Sequence, residues 1–149
     1  MSVLFGELEC KVDAKGRFLF PAALLKQLPD EQRNDFVINQ GLDGNLDIYP
    51  KESWVAALGK IMAKNQYVAQ NRAFTRRFQS GAAPVTLDSA KRLNIPKALM
   101  DRAGIANDVV LIGAGDRIEC WAKDRYDAWL TAEGNQLEDL AEAVMGDHE

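Results

Sequence analysis

A chain of 149 residues with a 47% hydrophobic fraction is long enough to bury a core and has the composition of a folded globular protein. No apolar run approaches the roughly 18 residues of a membrane span, and Met1-Ser2-Val3-Leu4-Phe5-Gly6-Glu7 has no basic region ahead of an apolar one, so neither membrane insertion nor export is expected and the cytoplasm is the default. The net charge of −4 argues against a nucleic-acid partner until its distribution is read: all 18 Lys and Arg lie at or before Arg125 beside 15 of the 22 acids, whereas residues 126–149 hold seven acids and no Lys or Arg.

Glu7 to Asp13 alternates Leu8, Cys10 and Val12 against charged residues, the pattern of a half-buried strand. Asp13 opens a turn in which its carboxylate can accept backbone N–H groups, and Gly16 supplies any positive φ the turn needs. A second strand carries Phe18 and Phe20, and Pro21 fits the first position of a short helix through Leu24, Leu25 and Leu28. Pro29 to Asn34 is polar and reads as a loop. Phe36 to Ile38 and Leu46 to Tyr49 are strands joined by a turn with two glycines. From Pro50 a helix places Trp54, Ala57, Leu58, Ile61 and Met62 on one face. Asn65 to Gln79 keeps helical spacing, with Tyr67, Asn71, Phe74 and Phe78 in one stripe and Arg72, Arg76 and Arg77 off it, until Gly81-Ala82-Ala83-Pro84 ends it.

The chain then repeats itself. Asp13-Ala14-Lys15-Gly16-Arg17 returns 75 positions later as Asp88-Ser89-Ala90-Lys91-Arg92, Phe18 to Pro21 returns as Leu93 to Pro96, and Leu46 to Glu52 returns as Ile118 to Asp124. Strands over Val85 to Leu87, Leu93 to Ile95, Val109 to Ile112 and Ile118 to Trp121 follow. So does a helix to Ala103 capped by Gly104, and one carrying Tyr126, Trp129 and Leu130. Leu137, Leu140, Ala141 and Val144 mark an acidic amphipathic helix without an evident place in the core. The tandem duplication predicts a mainly β chain with helices (α+β). Its two βαβ-hairpin repeats form a small pseudo-twofold barrel or paired-hairpin core with helices on one side, because each copy alone would expose an apolar face. The expected division is a first repeat over 5–64, a helical spacer over 65–80, a second repeat over 81–132 and an acidic helix or tail over 133–149.

Enzyme readings fail on residue types. The duplicated Asp13 and Asp88 are each followed by Lys and Arg, which favour ionisation of both carboxylates and not the shared proton of an aspartic protease. The single histidine, His148, is one residue from the end, which removes His-based acid–base catalysis and most zinc sites. The Gly41/Gly44 and Gly113/Gly115 turns lack the strand–helix setting of a phosphate loop. Cys10 and Cys120 do not occupy equivalent positions and read as two buried free thiols. No catalytic residue, metal, cofactor or small-molecule substrate is expected.

Arg suits base recognition because its planar fork can bond O6 and N7 of one guanine, while Lys meets phosphate as a point charge. From the residues alone, Asp13–Arg17 and Asp88–Arg92 fit surface turn-capping ion pairs as well as they fit DNA contacts. For Arg72, Arg76 and Arg77, a possible secondary basic cluster, pairing with carboxylates in the chain or across a subunit interface is preferred to direct DNA contact. Trp54, Tyr67, Phe74, Phe78 and Trp121 read as core or interface packing.

The two Asp-x-x-x-Arg turns, the Leu4-Phe5-Gly6-Glu7 entry, Ile48-Tyr49-Pro50 with Trp54, and the Arg-rich spacer before Gly81 together resemble the MraZ family, bacterial regulators built of two AbrB-type swapped-hairpin units. The resemblance runs from Phe5 to about Leu130. It implies a cytoplasmic, nucleoid-associated transcription factor that assembles into rings and binds double-stranded DNA at direct repeats upstream of the division and cell-wall gene cluster. It assigns DNA contact to Lys15, Arg17, Lys91 and Arg92 and turn ordering to Asp13, Gly16 and Asp88. Lys91 departs from the family's usual glycine: either the second turn adopts another geometry or it accepts backbone strain of about 1 kcal/mol, and on this ground the first turn is expected to be the stronger reader. The same architecture also admits an antitoxin-like or scaffold protein that binds a protein partner through its grooves or acidic tail.

Overall fold

The two halves of the chain exchange strands instead of folding side by side. The computed structural model describes residues 3–146; Met1-Ser2 and His148, on which two of the readings above draw, lie outside the described residues. In order, the elements are β1 (Glu7–Lys11), β2 (Arg17–Leu19), α1 (Ala22–Leu25), a 3-10 turn (Asp30–Gln32), β3 (Asp35–Gln40), β4 (Leu46–Pro50), α2 (Lys51–Met62) and α3 (Ala69–Phe78). The second half gives β5 (Ala83–Thr86), β6 (Arg92–Asn94), α4 (Lys97–Ala103), β7 (Asp108–Gly113), β8 (Ile118–Ala122), α5 (Lys123–Thr131) and α6 (Leu137–Met145).

Six strands form an antiparallel sheet in the order β1-β7-β8-β4-β3-β5, and β2 pairs with β6 in a separate ribbon. The order is unchanged when each strand is replaced by its counterpart in the other repeat, which is the pseudo-twofold symmetry the duplication requires. Its axis passes between Asp47 and Glu119 in the sheet and between Phe18 and Leu93 in the ribbon, both pairs of repeat equivalents in direct register. The outer strands repeat the relation: Lys11 opposite Asp108 forms an ion pair at 2.7 Å, and their counterparts Thr86 and Asp35 form a hydrogen bond at 3.1 Å. The barrel is not closed by a continuous ladder. The ribbon instead covers the open side, tied to β1 and β5 through the two Asp-x-x-x-Arg turns.

The chain is thus α+β with two repeats, and the helices lie on both faces of the sheet, not on one. Phe36, Val37 and Ile38 are consecutive and all buried, so β3 is covered twice. Phe36 and Ile38 join Phe18, Leu24, Leu93 and Leu99 in the main core under α1, α4 and the ribbon. Val37 and Tyr49 face Trp54 of α2, with Phe78 of α3 packed on top. Alternation within a three-residue apolar run hides this second interface from a one-sided reading. The prolines also stand one residue earlier than expected: Pro21, Pro50 and Pro96 occupy the cap position with extended ψ (128°, 141° and 142°), and Leu25 and Met100 donate to the Pro21 and Pro96 carbonyls. α1 is a single turn that ends before Leu28. Tyr67 precedes α3 and is 96% exposed, so it is not core, and Phe74 is half exposed. Gly104 caps α4 in the left-handed conformation, as the sequence predicts. Both cysteines are free; Cys120 is buried and Cys10 only half-buried.

Candidate nucleic-acid interface

The two turns superimpose bond for bond. In the first, Asp13 Oδ1 accepts the Lys15 and Arg17 amides, both at 2.9 Å, and Oδ2 accepts Arg17 Nε at 3.0 Å. In the second, Asp88 Oδ1 accepts the Ala90 and Arg92 amides, both at 2.8 Å, and Oδ2 accepts Arg92 Nε at 2.9 Å. The main chain closes each turn in the same way, the Asp13 amide donating to the Arg17 carbonyl at 2.9 Å and the Asp88 amide to the Arg92 carbonyl at 3.0 Å. These bonds hold both Asp carboxyls below the usual carboxylate range: the Arg backbone amide contributes most, the Arg side chain and the second backbone amide add to it, and desolvation opposes them.

Lys91 therefore takes the strained alternative. It sits at φ 63°, the single non-glycine residue with positive φ among the described residues, where Gly16 sits at φ 86°. The cost of the left-handed conformation is about 1–2 kcal/mol, and the second turn keeps the geometry of the first. The two turns nevertheless differ in tolerance. A Cβ built on Gly16 would lie 2.4 Å from the carbonyl oxygen of Ile95, whose amide donates to the Gly16 carbonyl at 2.8 Å and ties the turn to the other repeat, whereas Lys91 is exposed.

Both turns open onto the β2–β6 ribbon, whose register sets Arg17 opposite Asn94 and Leu19 opposite Arg92. Phe18 and Leu93 point inward and are buried, so by alternation Arg17, Leu19, Arg92 and Asn94 form the outer face. The Asp carboxylate engages only Nε of each guanidinium. The terminal Nη groups of Arg17 and Arg92 have no hydrogen-bond partner among the described residues, and their side chains are 35% and 43% exposed. Each arginine is thus braced from behind with its fork free. Lys15 and Lys91 are exposed on the turns beside them. The structure thereby brings together Asp13, Lys15, Gly16, Arg17, Asp88, Lys91 and Arg92.

Leu19 and Asn94 were not singled out from the sequence. Leu19 is 64% exposed on the outer face, opposite Arg92 in the ribbon, and its signal was its place one residue after an inward Phe18 in a strand of period two.

Arg72, Arg76 and Arg77 do not join this surface's hydrogen-bond network. Of the expected pairings with carboxylates, in the chain or across a subunit interface, the first is not found among the described residues: Arg72 Nη1 donates to the Gln66 and Tyr67 carbonyls, both at 3.0 Å, and none of the three arginines forms an ion pair with a described residue. Those two carbonyls accept N–H donors of the Arg72 guanidinium without neutralising its charge. Among the described residues no group of His, Cys, Asp or Glu is arranged to hold a metal ion, and no helix is long and apolar enough to cross a membrane.

Two strand–turn–strand–helix repeats that exchange outer strands and present two braced arginines on one ribbon define a class: a pseudosymmetric α+β protein with a duplicated polar surface. The family described as "MraZ protein, putative antitoxin-like" matches this chain twice, over residues 3–77 and 78–146. A protein named transcriptional regulator MraZ from Christiangramia forsetii is 42% identical over 144 residues, covering 96% of this chain and 93% of the relative. Its namesakes from Flavobacterium psychrophilum and Cytophaga hutchinsonii are 38% and 34% identical, covering 98% and 97% of this chain and 94% and 96% of their own lengths. The chain belongs to the MraZ family. Among solved structures, the solution structure of PHS018 from Pyrococcus horikoshii covers 80% of this chain and 89% of its own length at 20% identity, with a TM-score of 0.33, too distant to bear on the argument.

Proposed function

We propose that the protein is a DNA-binding transcriptional regulator, not an enzyme, that reads duplex DNA with the β2–β6 ribbon and its two flanking turns. The observation that carries this is the pair of arginines, Arg17 and Arg92, each held through Nε by its own aspartate with both Nη groups left outward on an antiparallel two-stranded ribbon. Such a ribbon fits the major groove, where a guanidinium fork bonds guanine O6 and N7. Lys15 and Lys91 serve the flanking phosphates, and Asp13, Gly16 and Asp88 order the turns. The name borne by the curated relatives, transcriptional regulator, agrees with this reading.

A single ribbon makes few contacts and binds weakly. A ring of copies presents the ribbon at fixed spacing, so successive direct repeats are engaged together and affinity rises through effective concentration. The protein then acts in the cytoplasm on the nucleoid, at repeats upstream of the division and cell-wall gene cluster. The working division of the chain remains two reading repeats over 5–64 and 81–132, a helical spacer over 65–80 and an acidic tail over 133–149.

The test is a titration of the purified protein with duplex DNA from upstream of its own gene. Arg17→Ala is expected to lower affinity at least tenfold without changing oligomer size. Unaltered binding by that variant overturns the reading. Absence of binding by the parent protein at any salt concentration moves the assignment to the second reading, a scaffold or antitoxin-like protein, which the uncovered acidic helix α6 favours.

A further inference from the structure

Chain order within the two repeats makes α5 the counterpart of α2 and α6 the counterpart of α3, and the two pairs are finished differently. In the first repeat α3 lies on α2: Phe78 stacks on Trp54 with ring centroids 5.1 Å apart and planes 8° from parallel, and the Asn39 amide donates to the Phe78 carbonyl. In the second repeat α6 makes no such stack among the described residues. No α6 residue is buried, and Leu137 and Val144 are 79% and 72% exposed. Leu137, Leu140 and Val144 recur at i, i+3 and i+7, a single apolar stripe flanked by Glu138 and Asp139. A nine-residue helix of this kind has little reason to persist in water alone.

The complementary surface is on the same chain. A groove of about 400 Å³ runs between α2 and α3, lined by Lys60, Ile61, Lys64, Gln70, Asn71 and Phe74. Residues 60–77 carry five cations and no acid, while residues 126–146 carry five acids and no Lys or Arg. None of those five cations forms an ion pair with a described residue, nor do Glu138 and Asp139. An apolar stripe edged with acid therefore matches an apolar groove edged with lysine.

We infer that α6 of one copy docks into the α2–α3 groove of the next. Donor and acceptor are different surfaces, so the contact is heterologous: every copy gives one α6 and receives another, and the chain of contacts closes into a ring. The inference rests on the ring reading above and gives it a specific interface. It also explains why the duplication is imperfect at this point. In the first repeat the helix after the sheet returns to its own domain; in the second it is left over for a neighbour.

Sedimentation velocity on the full chain tests it. Glu138→Lys with Asp139→Lys, and separately Lys60→Glu with Lys64→Glu, are each expected to shift the oligomer to smaller species, with association weakened at least tenfold. The chain carrying all four substitutions is expected to regain the parent size, because the charges again match; this rescue excludes misfolding as the cause. Parent-sized oligomers from both double variants overturn this interface while the ring reading stands. Loss of size in the doubles without rescue in the quadruple variant also overturns it. A parent protein that sediments as a monomer at all concentrations overturns the ring reading itself.

Discussion

Asp47 and Glu119 are the same position in the two repeats, and they face each other directly across β4 and β8. The pseudo-axis thus forces two carboxylates together in the middle of the sheet. Asp47 is buried, and burial pushes its carboxyl up to about 6, opposed by Arg117 and by the amide of Asn45, which donates at 3.0 Å. Arg117 Nε lies 3.5 Å from Asp47 and its Nη2 4.0 Å from Glu119, so one cation from the second repeat serves both acids.

The pH consequence follows in sign. The folded carboxyl titrates above its ordinary 3.8, so the fold binds the proton more tightly than the unfolded chain does. The contribution to stability is fully present below pH 3.8 and is lost as pH rises through about 6. Asp47→Asn is expected to raise stability at pH 7 by about 1–3 kcal/mol and to flatten the pH dependence between 4 and 6. Urea unfolding at pH 7 and pH 5 checks this. A variant less stable than the parent at pH 7 would show that the Arg117 pairing outweighs the desolvation.

Lys91 and Gly16 make opposite predictions about one backbone conformation. Gly16→Ala adds a Cβ 2.4 Å from the Ile95 carbonyl oxygen at positive φ, so backbone must shift as well as strain. The expected loss is about 2–4 kcal/mol. Lys91→Gly removes the strain at φ 63° but loosens the unfolded chain, for a net gain of about 0.5–1 kcal/mol. Thermal unfolding of the two variants against the parent decides it: both must move, and in opposite directions.

How much of this was legible in the sequence depended on the range of the interaction. The Asp-x-x-x-Arg turns were legible because every bond in them spans four residues or fewer, from Asp13 to Arg17 and from Asp88 to Arg92. The strands were legible from alternation in Leu8, Cys10 and Val12. The exchange of β1 and β5 between repeats was not, because a strand's pattern records that a face is buried and not which strand covers its edge. The second core was missed for a related reason: Phe36-Val37-Ile38 is buried on both sides, and a continuous apolar run carries no face information. Leu19 escaped notice because exposure was assigned to polar residues. Arg117 was overlooked because its role depends on Asp47, 70 positions away.

Trp54 joins α3 to the sheet, and its truncation is expected to do more than open a cavity. Its ring meets Tyr49 edge-on at 5.6 Å and Phe78 face-on at 5.1 Å. Trp54→Ala should cost about 3–5 kcal/mol and release α3. Hydrogen exchange would then speed over residues 69–78 well before global unfolding. Retained protection there would mean that the bonds from the Asn39 and Gln40 side-chain amides to the Phe78 and Arg77 carbonyls suffice to hold α3.

The two turns keep one geometry although Lys91 stands where the first has Gly16. The reason for placing Arg92 behind Arg17 was the missing glycine, yet Lys91 holds the left-handed conformation and Arg92 is braced as Arg17 is. If both forks read bases, Arg17→Ala and Arg92→Ala should each weaken binding to the upstream repeats by about 1–3 kcal/mol and relax discrimination at one base pair. Lys15→Ala and Lys91→Ala should instead weaken binding to all sequences alike and each reduce the slope of log affinity against log salt by about 1 per ribbon. Leu19→Ser, on the outer face opposite Arg92, should change preference for thymine against cytosine without altering that slope, since an apolar side chain there can meet only the thymine methyl. Binding titrations on base-substituted duplexes at three salt concentrations separate the three classes. Equal loss on every duplex from Arg17→Ala would reduce the arginines to phosphate contacts and leave the ribbon without a base-reading role.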